Sequence, residues 1–126
     1  MASPSSPRTD SGGPARPASA AVRLRPLEIT VLRHPLGVRL RGEVDLATVP
    51  RLEPVLELLL DAPGDVVVDL GGVTFLDVGG GRALARTALL LRPTGRQVHL
   101  RAASPFVCRV LFLLGWADLF VLPEPA

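Results

Sequence analysis

Apolar and polar residues alternate through Leu27, Ile29 and Val31, a period of two that predicts a half-buried strand. His34-Pro35-Leu36-Gly37 supplies turn residues, and Val38, Leu40 and the run to Val44 predict a second strand that pairs with the first as a hairpin. The period then changes. Val49, Leu52, Leu56, Leu59 and Leu60 fall on one helical face, with Thr48 placed to cap it and Pro50 suited to its first turn. Pro54 cannot donate a backbone hydrogen bond, so it marks either a later start or a kinked second turn. Pro63-Gly64 ends that helix, and the nearly continuous apolar run DVVVDL (65–70) predicts a central strand covered on at least one face. GGVTFLDVGGG reads as a loop leading into a second helix on Ala83, Leu84, Thr87, Ala88 and Leu91, stopped by Pro93 and Gly95. Residues 97–101 alternate as a strand. Ser104-Pro105 is a capping hydroxyl followed by a first-turn proline, opening a third helix with Val107, Val110, Leu111 and Leu114 toward the core and Gly115 at its end. Residues 119–122 make a last short strand. The order β-β-α-β-α-β-α-β predicts an α/β fold with a mixed sheet of about five strands packed by three or four helices.

Residues 1–22 break from this pattern. Sixteen of them are Ser, Ala, Pro or Gly without periodicity, a composition with too little apolar surface to offset its ordering entropy. The expected organisation is therefore a disordered tail over 1–22 and one folded domain over 23–126.

With 126 residues, 48% of them hydrophobic, the chain can build one ordinary core. The formal charge is +2, and every basic residue is Arg. So small a surplus argues against nucleic acid as the main partner, which needs several phosphate-neutralising side chains on one face. The absence of Lys removes Walker-type nucleotide binding and Schiff-base chemistry. A single cysteine, Cys108, forms no internal disulfide, and with two distant histidines it makes no metal site; a buried, inert thiol is expected. The greasiest stretch, 106–122, contains Arg109 and Asp118 and reads as core, not as a membrane span. No apolar leader is visible at the N-terminus, so the expectation is a soluble cytoplasmic protein.

Catalytic constellations are scarce. His34 and His99 read as surface or rim residues, and no nucleophile elbow exists. Asp45 and Asp77 both sit where a strand gives way before a helix, so they converge at one end of the sheet, where open α/β folds place ligands. The informative run is Asp77-Val78-Gly79-Gly80-Gly81-Arg82. Three glycines at a helix start have two readings. One is a tight turn that brings the helix close to the sheet. The other is an exposed start without side chains, where a second molecule reaches the backbone or an anion meets free N–H groups. Arg82 reads equally as an anchor for an acidic patch or as a solvated charge.

Four stretches in order, RLRGEVDLATVPRLEPVL, DVVVDLGGVTFLDVGGGRALART, GRQVHLRAASPFVCRVLFLLG and WADLFVL, resemble the STAS domain, in particular the single-domain bacterial anti-sigma factor antagonists. The resemblance implies the STAS fold and a regulatory binding module in signal transduction and transcription control, with no catalytic residues and no cofactor. The implied partner is an anti-sigma factor, often a serine kinase with a histidine-kinase-like ATPase fold. The implied docking residues are Asp77, Val78, Gly79, Gly80, Gly81 and Arg82, with Asp45 beside them. The family pattern at this point is Asp-Ser-Ser-Gly-Leu, and its second hydroxyl residue takes phosphate from the partner. Here Gly79 stands at that position and has no hydroxyl, so no phosphoacceptor is expected. This leaves two outcomes, an antagonist that binds without a phosphate switch or a module turned to another partner. A STAS subunit docked on the ATPase of a membrane transport assembly, and a small-anion or nucleotide receptor, are the alternative functions.

Overall fold

The computed structural model describes residues 27–122. All of the segment read as a tail (1–22), residues 23–26 and the chain after Leu122 lie outside them. Five strands form one sheet in the order β1-β2-β3-β4-β5: Glu28–Arg33, Leu36–Val44, Val66–Leu76, Val98–Arg101 and Phe120–Val121. The β1–β2 hairpin is antiparallel and the remaining pairs are parallel, each joined through a helix. The helices are α1 (Val49–Leu60), α2 (Val78–Leu91) and α3 (Pro105–Leu113), and short 3-10 turns follow α2 and precede β5. The element order is the one the sequence pattern predicts.

The register explains the layering. Val38, Val68 and Leu100 align across the sheet, as do Val66, Val98 and Phe120, and all are buried beneath the helices. The opposite face carries Arg39, Asp69 and Arg101 in one row and Val67, His99 and Val121 in the next, all partly or largely open. The described residues thus form two layers, with one sheet face uncovered among them. From α2, Ala83, Leu84, Thr87, Ala88 and Leu91 are buried as expected, and Thr87 returns its hydroxyl to the Ala83 carbonyl at 3.1 Å. From α1, Val49, Leu52, Leu56 and Leu59 are buried while Leu60 is half-buried.

Three local expectations need correction. GGVTFL (71–76) is not a loop but the second half of β3, paired with Arg41–Val44 of β2. A side chain at Gly72 would meet Arg41 Cγ at 2.6 Å, so the glycine marks a close strand approach, while Val73 and Leu76 supply inward apolar residues. Thr48 occupies the cap position of α1 but does not cap it. Its hydroxyl oxygen instead accepts from the Asp45 amide at 3.0 Å while its proton goes to the Glu43 carbonyl at 2.9 Å, and the Asp45 carboxylate accepts from the Thr48 amide at 3.0 Å. Pro54 does not mark the start of α1. It lies on the exposed side, and the helix runs through it.

The far end of α1 is tied down by one side chain. Arg96 donates to the carbonyls of Leu59 and Leu60 at 2.9 Å and of Gly64 at 2.6 Å, satisfying acceptors that a helix end leaves open. Arg96→Ala is expected to lose about 2 kcal/mol in urea denaturation, in the range for hydrogen bonds to a charged group; a change below about 0.5 kcal/mol would show the carbonyls are equally well served by water.

Candidate functional site

β2 and β3 are parallel neighbours, so their C-terminal ends deliver Asp45 and Asp77 to one end of the sheet, as expected. Both carboxylates are already engaged by main chain. Asp77 caps α2, one oxygen accepting from the Gly80 amide at 2.8 Å and the other from the Leu46 amide at 3.2 Å. Its own amide donates to the Val44 carbonyl at 3.2 Å. Asp77 therefore pins the β2–α1 loop to the start of α2, and Asp45 closes a small turn with Thr48. This is a rigid junction, and the positive end of α2 already has an internal carboxylate upon it.

The three glycines play different parts. Gly80 is buried, and a Cβ there would run into the Val44 backbone carbonyl, so α2 starts against β2 only because position 80 has no side chain. Gly81 is also buried, under the Trp116 ring and Leu114, 3.2 and 3.4 Å from where a Cβ would stand. Of the two readings of the glycine run, the tight turn against the sheet holds at Gly80 and Gly81, where close packing claims the space and leaves neither open to a second molecule. Gly79 is half-buried, with Leu46 atoms 3.2–3.3 Å from its Cβ position. The outward surface is Val78, 47% exposed, with Arg82 beside it on the first turn and Leu46, 75% exposed, over Gly79. Phe75, at the end of β3, is half-exposed and stacks on Phe106 of α3 with ring centroids 6.4 Å apart. Leu46, Phe75 and Phe106 were not singled out in the sequence; their exposure becomes visible only once the layers are known.

Elsewhere, His34 is exposed in the hairpin turn, and Cys108 is half-buried where full burial was expected. On the open sheet face, His99 Nε2 lies 2.9 Å from Asp65 Oδ2, and the Gln97 amide donates to the other oxygen at 2.9 Å. The pair borders a groove of about 480 Å³ lined by Pro35, Val67, Val121 and Leu122. The hydrogen bond from His99, then that from Gln97, holds the Asp65 carboxyl below its ordinary value. A lowered pKa favours the ionised form in the folded state, so this contribution to stability is present above the usual carboxylate range and fades as pH falls through the lowered value. In an NMR titration the Asp65 midpoint is expected below 3.8, rising in His99→Ala; an unmoved midpoint would assign the shift to Gln97 alone. Among the described residues, no group of three or more potential ligands is placed to hold a metal ion, and no helix is long and apolar enough to cross a membrane.

A mixed five-stranded sheet with helices on one face and a capped helix start beside the β2 end defines a small α/β module. The profile described as "Mlab, STAS domain" matches residues 28–123, and the chain belongs to this family. An anti-sigma-B factor antagonist of Staphylococcus aureus is 30% identical over 88 residues, covering 69% of this chain and 82% of its own. The crystal structure of an anti-sigma factor antagonist from Mycobacterium paratuberculosis superposes with a TM-score of 0.67 at 32% identity, covering 79% of this chain and 86% of that one. The anti-sigma factor antagonist SpoIIAA in its unphosphorylated form shares the fold, with a TM-score of 0.57 at 18% identity over 79% of this chain and 89% of that one.

Proposed function

We propose that this chain is an anti-sigma factor antagonist, a cytoplasmic regulatory module that works by binding. It docks on an anti-sigma factor of the ATPase-fold serine kinase type through the start of α2. Of the run Asp77–Arg82, Val78, Gly79 and Arg82 meet the partner, while Asp77, Gly80, Gly81 and the neighbouring Asp45 hold the junction in shape. The observation that carries this reading is the internally capped helix start, rigid and open at Val78 and Arg82, in a chain 32% identical to an antagonist of known structure.

The same junction separates this chain from a phosphate-switched antagonist. Position 79 has no hydroxyl, and the nearest outward side chains, Val78 and Leu46, have none either. Binding is therefore constitutive and set by abundance. An anion or nucleotide receptor is less well supported, because the Asp77 carboxylate already occupies the helix start where a phosphate would sit.

The test is a calorimetric titration of this chain into each purified ATPase-fold anti-sigma factor encoded in its source genome. A one-to-one complex with a dissociation constant of about 1 μM or tighter is expected with one of them. No binding to any, together with binding to the ATPase of a transport assembly, would replace this reading with the transport alternative.

A further inference from the structure

α3 is apolar on both faces. Val107 and Leu111 enter the core, yet Phe106, Phe112 and Leu113 are 47%, 73% and 68% exposed, with Arg109 between them as the only charge on the helix. A helix that packs on one side normally turns polar residues outward, and a stripe of two phenylalanines and a leucine open to solvent is the mark of a contact surface.

The placement of α3 joins this stripe to the start of α2. At its first turn Phe106 stacks on Phe75, two residues before Asp77. Just past its last turn, Leu114 and Trp116 lie against Gly81. The helix is thus fastened at both ends to the β3–α2 junction and lies alongside it.

Charge identifies what fits. α2 and α3 contain no Asp or Glu, and their charged residues, Arg82, Arg86 and Arg109, are all cationic and exposed. The neighbouring helix α1 differs, with Glu53 and Glu57 exposed beside Leu58 and Arg51 as its one cation, so the two helices that flank the β3–α2 junction are the ones without a carboxylate of their own.

We propose that the docking surface extends from Val78 and Arg82 along the outer stripe of α3, and that its occupant is a protein surface both apolar and acidic, with carboxylates facing Arg82 and Arg109. This rests on the reading of the chain as an anti-sigma factor antagonist and adds to it the second contact element and the partner's chemistry. Phe106, Phe112 and Leu113 give the apolar area that Val78 alone cannot, and the arginines select an acidic surface.

The experiment measures the affinity of the full chain for the anti-sigma factor that binds it. The variants are the double substitution Phe112→Ser with Leu113→Ser, the single Arg109→Glu, Val78→Asp, and Leu58→Ser on α1 as an apolar control of equal exposure. The α3 double variant and Arg109→Glu are each expected to weaken binding about tenfold or more, and Leu58→Ser to stay within about twofold. Circular dichroism melts confirm folding; should the double variant unfold, Arg109→Glu, a surface charge, carries the test. If the α3 variants bind like the unaltered chain while Val78→Asp does not, the extension is overturned and the antagonist reading survives. If the unaltered chain binds no anti-sigma factor, the underlying reading fails and the extension with it. Vesicles with about 30% anionic lipid form the last arm. Their capture, lost in Arg109→Glu with the anti-sigma affinity intact, would assign the stripe to a membrane surface and overturn the proposal.

Discussion

Gly80→Ala is expected to lose about 3 kcal/mol of folding stability, at the upper end for overpacking a closed site. For a folded unit of this size that lowers the melting temperature by roughly 10–20 °C. The added Cβ meets the Val44 carbonyl, a main-chain atom within a paired strand, so relief requires α2 to move away from β2. Such a shift would also strain the two hydrogen bonds by which Asp77 joins the loops, at Gly80 and Leu46. Gly79→Ala supplies the contrast. The nearest atoms to its Cβ position all belong to Leu46, an exposed residue in a short loop that can yield by a few tenths of an ångström, so a loss under about 1 kcal/mol is expected. Thermal melts of the two variants side by side check this. Equal stabilities would mean that the glycines are interchangeable and that the close packing of α2 on β2 does not govern the junction.

The second large effect falls on binding and spares the fold. Val78 is 47% exposed on the first turn of α2, where a carboxylate is compatible with the positive end of the helix. Val78→Asp should therefore leave the melting temperature within a few degrees. In the proposed interface it places a desolvated negative charge in an apolar contact opposite an acidic partner, so affinity should drop about 30-fold or more, a loss of about 2 kcal/mol or greater. Titration of the anti-sigma factor reads this directly. A variant that binds as tightly as the unaltered chain would remove the start of α2 from the interface.

Much of the fold is legible in the residues because the two periods are clean where packing is one-sided. The stripe Ala83, Leu84, Thr87, Ala88, Leu91 reads as a helix and is one. GGVTFL misleads for a physical reason: paired glycines are turn formers in general, but here Gly72 lets β3 pass close over Arg41, a contact 31 residues away in the chain. Thr48 misleads similarly, since the cap position is local but the competing donor, the Asp45 amide, depends on the path of the preceding loop.

The candidate site divides in the same way. Convergence of Asp45 and Asp77 follows from parallel strands and is readable. Their engagement by the Thr48, Gly80 and Leu46 amides is not, because it requires the loops to be placed. Three glycines in a row carry no side chains from which an inside and an outside could be told. Only the sheet below and Trp116 above separate Gly80 and Gly81 from Gly79. The Asp65–His99 pair needs the register that puts Val66 beside Val98; with it, both residues fall on the open face. The exposed stripe of α3 was hidden for the opposite reason: its apolar residues looked like core, and one layer of helices leaves half of them outside.

The most direct measurement is release of the sigma factor from its complex with the anti-sigma factor, titrated with this chain before and after the chain is incubated with that anti-sigma factor and ATP. With glycine at position 79, the account predicts the same release curve in both cases and an unchanged mass for the recovered chain. A release curve lost after exposure to ATP, with a phosphoryl group found on the recovered chain, would contradict it.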